Sequence, residues 1–137
     1  MAEVIDTLKK RIGVEREAGV YHIERAKIAS FAQAIGDPNP CWQDMSPPSL
    51  IPTLGFAQIL PELIFLFTTL LHGSTELQCY QPVRAGDRIT VNHKLSNLRQ
   101  RVGKDNHLLA FLTIDLTYKN QRHELVARCR QVLIANE

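Results

Sequence analysis

A change of hydrophobic period at Gly73 constrains this chain more than any other feature. Before it, apolar residues recur at helical spacing; after it, they recur at every second position. Val4, Ile5, Leu8 and Ile12 precede Gly13, which predicts a short amphipathic opening helix with a glycine stop. Ile28, Phe31, Ala32 and Ile35 occupy i, i+3, i+4 and i+7, and Gly36, Pro38 and Pro40 forbid continuation of that second helix. Residues 37–49 read as a proline-rich loop, and Pro61 suits the first turn of an apolar helix over Glu62–Leu71, closed by His72-Gly73. Beyond Gly73, Leu77, Cys79 and Gln81 alternate until Pro82–Asp87 bends the chain. Ile89, Val91, His93 and Leu95 alternate up to a polar turn at Gly103–Asn106, and Ala110, Leu112, Ile114, Leu116 and Tyr118 share one face of the next run. A turn at Asn120-Gln-Arg leads into a closing strand, Leu125–Ile134.

Helices first, then at least four consecutive antiparallel strands, with one apolar helix to cover a sheet face, define an α+β domain. A length of 137 residues predicts a single domain spanning residues 1–137. The net charge of +2, with its basic residues scattered, gives no basis for nucleic-acid binding. Leu50–Leu71 is interrupted by Pro52, Gln58, Pro61 and Glu62, short of the roughly 20 mostly apolar residues a membrane span needs. The acidic N-terminal residues are not expected to act as a signal peptide. Cys41, Cys79 and Cys129 are odd in number and lack CxxC spacing, so a cytoplasmic location is expected, without disulfides or a zinc site. His22, His93, His107 and His123 likewise lack metal-ligand spacing.

The stretch Phe31-Ala-Gln-Ala-Ile-Gly-Asp37-Pro-Asn39-Pro40-Cys-Trp42 carries the chemistry. It resembles the Phe-Ala-x-x-x-Gly-Asp-x-Asn-Pro-x-His signature of the MaoC-like hot-dog family, except that Trp42 stands at the histidine position. Tyr21–Ile28, Pro47-Pro48 before the apolar segment, Leu71-His72-Gly73 and Tyr80–Asp87 extend the resemblance over nearly the whole chain. It is closest to the N-terminal, fatty-acid-synthase-type acyl dehydratase subgroup. The resemblance implies a hot-dog fold, an antiparallel sheet wrapped around a long central apolar helix. It also implies a water held between the Asp and the His, and a helix N-terminal N–H that polarises an acyl thioester carbonyl.

Hydration or dehydration needs one group to take a proton and another to give one. Asp37 can orient a water or act as a base; Trp42 is a hydrogen-bond donor that cannot move a proton. The resemblance therefore implies a subunit of a (3R)-hydroxyacyl-thioester dehydratase or enoyl hydratase. Its partner, in a homo- or heteromeric dimer or tetramer, is another hot-dog, and because the last strand reaches the end of the sequence, a catalytic partner is expected on a separate chain. The substrate is an acyl group on coenzyme A or phosphopantetheine, with no further cofactor. Asn39, Pro40, Trp42 and Gly73 are candidate substrate contacts, His72 is a candidate replacement base, and Arg99, Arg101 and Lys104 are candidate phosphate contacts.

Each residue also has a structural reading. Asp37 and Asn39 suit a turn, Trp42 suits a packed loop, His72 suits a helix C-terminus, and the three cations suit a solvated hairpin tip. Two rival functions remain open: a non-catalytic acyl-CoA or lipid-binding module, and a stand-alone hydratase or thioesterase using Asp37 with His72.

Overall fold

A computed structural model describes residues 2–136. The chain runs α1 (Ala2–Lys9), β1 (Arg16–His22), α2 (Arg25–Ala34), α3 (Phe56–Ile64), β2 (Thr69–Cys79), β3 (Arg88–Val102), β4 (Leu108–Lys119) and β5 (Leu125–Asn136). Short 3-10 turns occupy Pro40–Gln43, Pro48–Thr53 and Lys104–Asn106. One five-stranded sheet has the order β1-β3-β4-β5-β2, with antiparallel pairing throughout.

The alternation read from sequence becomes the buried face of the sheet. Ala110, Leu112, Ile114, Leu116 and Tyr118 of β4 are all buried, beside Ile89 and Val91 of β3. In β3 the buried position then skips from the Val91 row to Leu98, and the strand absorbs the extra residue as a bulge between Leu95 and Asn97. Ile59 and Leu63 of α3, and Ile5 and Leu8 of α1, join the same apolar cluster. Because α3 packs against both edge strands, β1 and β2, the sheet curls around it. The helix α1 ends at Lys9, short of the expected glycine stop; Gly13 lies four residues on, where its N–H donates to the Leu95 carbonyl at 2.8 Å and ties the turn to β3.

Two further elements differ from the sequence reading. Arg16–His22 is a strand although its sequence does not alternate. Only Ala18 is buried within it, and its register on β3 slips between Glu17 and Gly19. The apolar helix spans Phe56–Ile64, not Glu62–Leu71. Gly55 starts it with φ +84°, a conformation that favours glycine, and a Cβ there would lie 2.9 Å from Val91 Cγ1. Pro61 sits inside the helix, which tolerates one missing N–H, and the helix ends at Ile64. The chain then enters β2, with Thr69 opposite Asn136. Leu70–Gly73 is therefore strand, and His72 lies on the sheet rather than in the last turn of a helix.

Candidate active site

The turn bearing Asp37 is built from local chemistry. At the end of α2, the Asp37 N–H donates to the Ala32 carbonyl at 3.0 Å and the Gly36 N–H to Gln33 at 3.1 Å, a Schellman closure with Gly36 at φ +69°. Asp37 Oδ1 then accepts from the Asn39 N–H at 3.1 Å, and Asn39 Oδ1 accepts from the Cys41 N–H at 3.1 Å. Asn39 thereby caps the 3-10 turn Pro40–Gln43 that carries Trp42. Asp37, Asn39, Pro40 and Trp42 line one open groove along the C-terminal half of α2.

The Trp42 indole faces Asp37. Its N–H is the largest influence holding the Asp37 carboxyl below its usual value, followed by the Asn39 backbone N–H, while desolvation opposes both weakly. The contact falls outside the geometry of a formed hydrogen bond, and Trp42 Nε1 is buried with no other partner. The electrostatic influence of a nearby donor persists where strict bond geometry does not. Asp37 thus stays ionised at neutral pH and can only accept.

His72 occupies a different part of the molecule. It pairs with Leu133 of β5, and its Nε2 lies 2.6 Å from Thr75 Oγ1 and 3.0 Å from Gln131 Oε1. The Thr75 hydroxyl donates to Gln131 Oε1 at 2.5 Å. The groove lined by Asp37 and Trp42 does not include His72. Gly73 is the extra residue of a bulge between His72 and Ser74, and a Cβ on it would lie 2.9 Å from the Val132 carbonyl oxygen.

Arg99, Arg101 and Lys104 lie exposed at the far end of the β3–β4 hairpin, where the Arg101 guanidinium sits 5.7 Å from the centre of the Phe111 ring. A separate cavity of about 50 Å³ lies between α1, α3 and the sheet, lined by Leu8, Ile59, Leu63, Leu112 and His93. Burial lowers the His93 pKa, and its Nδ1 has no partner. Among the described residues no group of side chains is arranged to hold a metal ion, the three thiols are free, and no helix is long and apolar enough to cross a membrane.

Sequence reasoning missed three participants. Gly55 places the N-terminus of α3, with its free backbone donors, well before the position expected. Thr75 and Gln131 join His72 only through strand pairing. Gln131 did leave a signal: it is a polar residue in the buried alternation Cys129, Gln131, Leu133, Ala135.

An antiparallel sheet curled around one helix, with a Gly-Asp-Pro-Asn-Pro turn ahead of that helix, defines a hot-dog fold like that of the MaoC-like proteins. The chain belongs to the family described as FAS1-like, dehydratase domain region, whose model matches residues 10–129. Among curated relatives, a UPF0336 protein of Streptomyces avermitilis is 31% identical across 62% of this chain and 68% of the relative. One from Saccharopolyspora erythraea is 27% identical across 84% and 81%. Among solved structures, the HadBC (3R-hydroxyacyl-ACP dehydratase) complex of Mycobacterium tuberculosis superposes with a TM-score of 0.77 at 15% identity, covering 91% of this chain and 97% of that one. The ChsH1-ChsH2 complex of the same organism gives 0.75 at 13% identity, covering 98% and 91%. The (R)-hydratase of A. caviae gives 0.65 at 19% identity, covering 89% and 94%. At these identities the structural likeness is one of fold.

Proposed function

We propose that the chain is a subunit of a (3R)-hydroxyacyl-thioester dehydratase or enoyl hydratase, working beside a second hot-dog that carries a complete Asp/His pair. The Asp37–Trp42 arrangement carries this reading. Asp37 keeps its place and its charge, while the neighbouring position that must exchange a proton holds an indole. Hydration adds the water oxygen at C3 of the enoyl thioester and a proton at C2, so a lone carboxylate that stays ionised leaves one proton transfer without a carrier. Trp42 instead contributes apolar wall to the groove it lines with Asp37, Asn39 and Pro40. Two of the structural neighbours are complexes of two named components, HadBC and ChsH1-ChsH2, which supports a hot-dog partner here.

The same half-buried indole, its N–H unpaired, also favours a second reading, an acyl-CoA-binding module without chemistry. A crotonyl-CoA hydration assay separates them. The wild-type chain is expected to be nearly silent alone and to support turnover once a hot-dog subunit with the full signature is added. Trp42→His restores the missing group, and about a 100-fold rise over the wild-type chain is expected, the scale of one general acid–base. Silence of both variants, with and without the partner, would overturn the dehydratase reading in favour of binding alone.

A further inference from the structure

His72, Thr75 and Gln131 form a built polar cluster that the proposed chemistry at Asp37 does not use. The bulge at Gly73 creates it. In a regular strand, His72 would share a face with Ser74, and Thr75 would point the other way. The extra residue shifts the register, so His72 opposes Leu133 and Thr75 opposes Gln131, both on the buried face of β5. His72 and Thr75 thus project to the side of the sheet that holds α3. Leu70 and Leu77, partly buried against the core, flank them on the same strand.

Hydrogen-bond arithmetic then fixes the imidazole. Gln131 is only 4% exposed, and its amide Nε2 lies 3.5 Å from Cys129 Sγ, which turns Oε1 toward the cluster. Oε1 accepts only, and the single Thr75 hydroxyl proton goes to it. Nε2 of His72, in contact with both oxygens, must therefore be the protonated nitrogen. Nδ1 is left with its lone pair, on a residue that is exposed in this chain.

Keeping this cluster carries a cost. An amide buried between Cys129 and Leu133 gives up hydration that an aliphatic side chain would not need. An exposed histidine does not need two side chains to fix its ring, and ordering it costs rotamer entropy. What the arrangement provides is one acceptor with a defined direction, at an open strand edge beside the central helix.

We propose that His72, set by Thr75 and Gln131, is a ligand-binding acceptor whose Nδ1 takes a hydrogen bond from a donor of an acyl thioester. The donor is either the acyl 3-hydroxyl or a pantetheine amide N–H. This rests on the acyl-thioester reading above. It adds a contact that, if made by the 3-hydroxyl, discriminates hydroxyacyl from enoyl and saturated ligands.

The test uses the full chain labelled with ¹⁵N at histidine. The His72 resonances are expected to show the Nε2–H tautomer, and Thr75→Val is expected to mix the two tautomers. Titration with (3R)-3-hydroxybutyryl-CoA is expected to shift Nδ1 and to bind about five- to tenfold more tightly than to His72→Phe, the scale of one neutral hydrogen bond. His72→Asn, whose Oδ1 stands near the Nδ1 position, should recover most of that factor. Butyryl-CoA separates the donors: loss for both ligands in His72→Phe assigns the amide, and loss for the hydroxyacyl ligand alone assigns the hydroxyl. A proton on Nδ1, or equal binding by wild type and His72→Phe, would overturn the proposal while leaving the hydration assay to judge the dehydratase reading. Failure of both thioesters to bind the chain would also overturn it.

Discussion

At the Asp37 turn, each polar side chain serves the backbone two residues ahead of it, whereas on the β2 edge the polar side chains serve one another. Asp37 bonds the Asn39 N–H and Asn39 bonds the Cys41 N–H, all within five residues of sequence. His72 meets Gln131 across a separation of 59 residues, through strands whose register is displaced by a bulge. The turn thus holds its geometry by local chemistry, and the edge holds its geometry by the sheet. The turn should survive changes in the strands; the edge should not survive a shift in register.

Gly73→Ala is the strongest way to break this contrast. The new Cβ would meet the Val132 carbonyl oxygen at 2.9 Å, a backbone atom that can yield only if β2 moves relative to β5. A loss of about 2–3 kcal/mol in unfolding free energy is expected, typical of forced overpacking. The same substitution should part His72 from Gln131, read as a change in the His72 tautomer, while the Asn39 and Cys41 amides keep their chemical shifts. If the tautomer is unchanged, the cluster does not depend on the bulge.

This division also explains what could be read from the sequence. Wherever side chains alternate in phase, as from Ala110 to Tyr118, the buried face was legible because the period alone decides which residues turn inward. The Asp37 turn was legible too, since glycine, aspartate and proline act over a few residues. Strand β1 was not, because Arg16–His22 buries Ala18 alone and is held by pairing with β3. The boundary between α3 and β2 also failed, since Pro61 fits the first turn of a helix as well as an interior position that forgoes one bond. Within the expected helix Leu63 and Phe67 are buried, but Ile64, Phe65 and Leu66 between them are exposed. Of the site, Asp37, Asn39 and Trp42 lie close in sequence and line one groove, whereas the partners of His72 could come only from strand order.

Gly36→Ala probes the turn with a smaller effect. Gly36 has φ +69° with open space where a Cβ would go, so the cost is conformational, about 1 kcal/mol, without steric overlap. Gly36→Asn should cost less, because asparagine visits this region more readily. Chemical denaturation of the two variants measures the difference. Equal losses would mean that the turn is held by packing rather than by its backbone conformation.

The smallest expected effect on stability, and the sharpest on chemistry, comes from Trp42→Phe. An aromatic ring remains, though smaller than the indole, and the N–H that disappears is a buried donor without a partner, so removing it leaves no new unsatisfied group. What changes is Asp37, whose pKa is lowered first by that N–H and second by the Asn39 amide. Without the indole donor, its pKa should rise toward 3.8 but remain below it, because the amide stays. The folded-state pKa of Asp37 is depressed, so its contribution is present above the unfolded value and is lost as pH falls through the folded one. Trp42→Phe should therefore shrink that contribution slightly at neutral pH and make the fall of stability with acid shallower, while below the folded pKa the Asp37 contribution is absent from both proteins. A carboxyl-detected NMR titration of Asp37 reads this directly. An unchanged midpoint would assign the depression to the Asn39 amide alone, leaving Trp42 as apolar wall and removing its N–H from the account of why Asp37 stays charged.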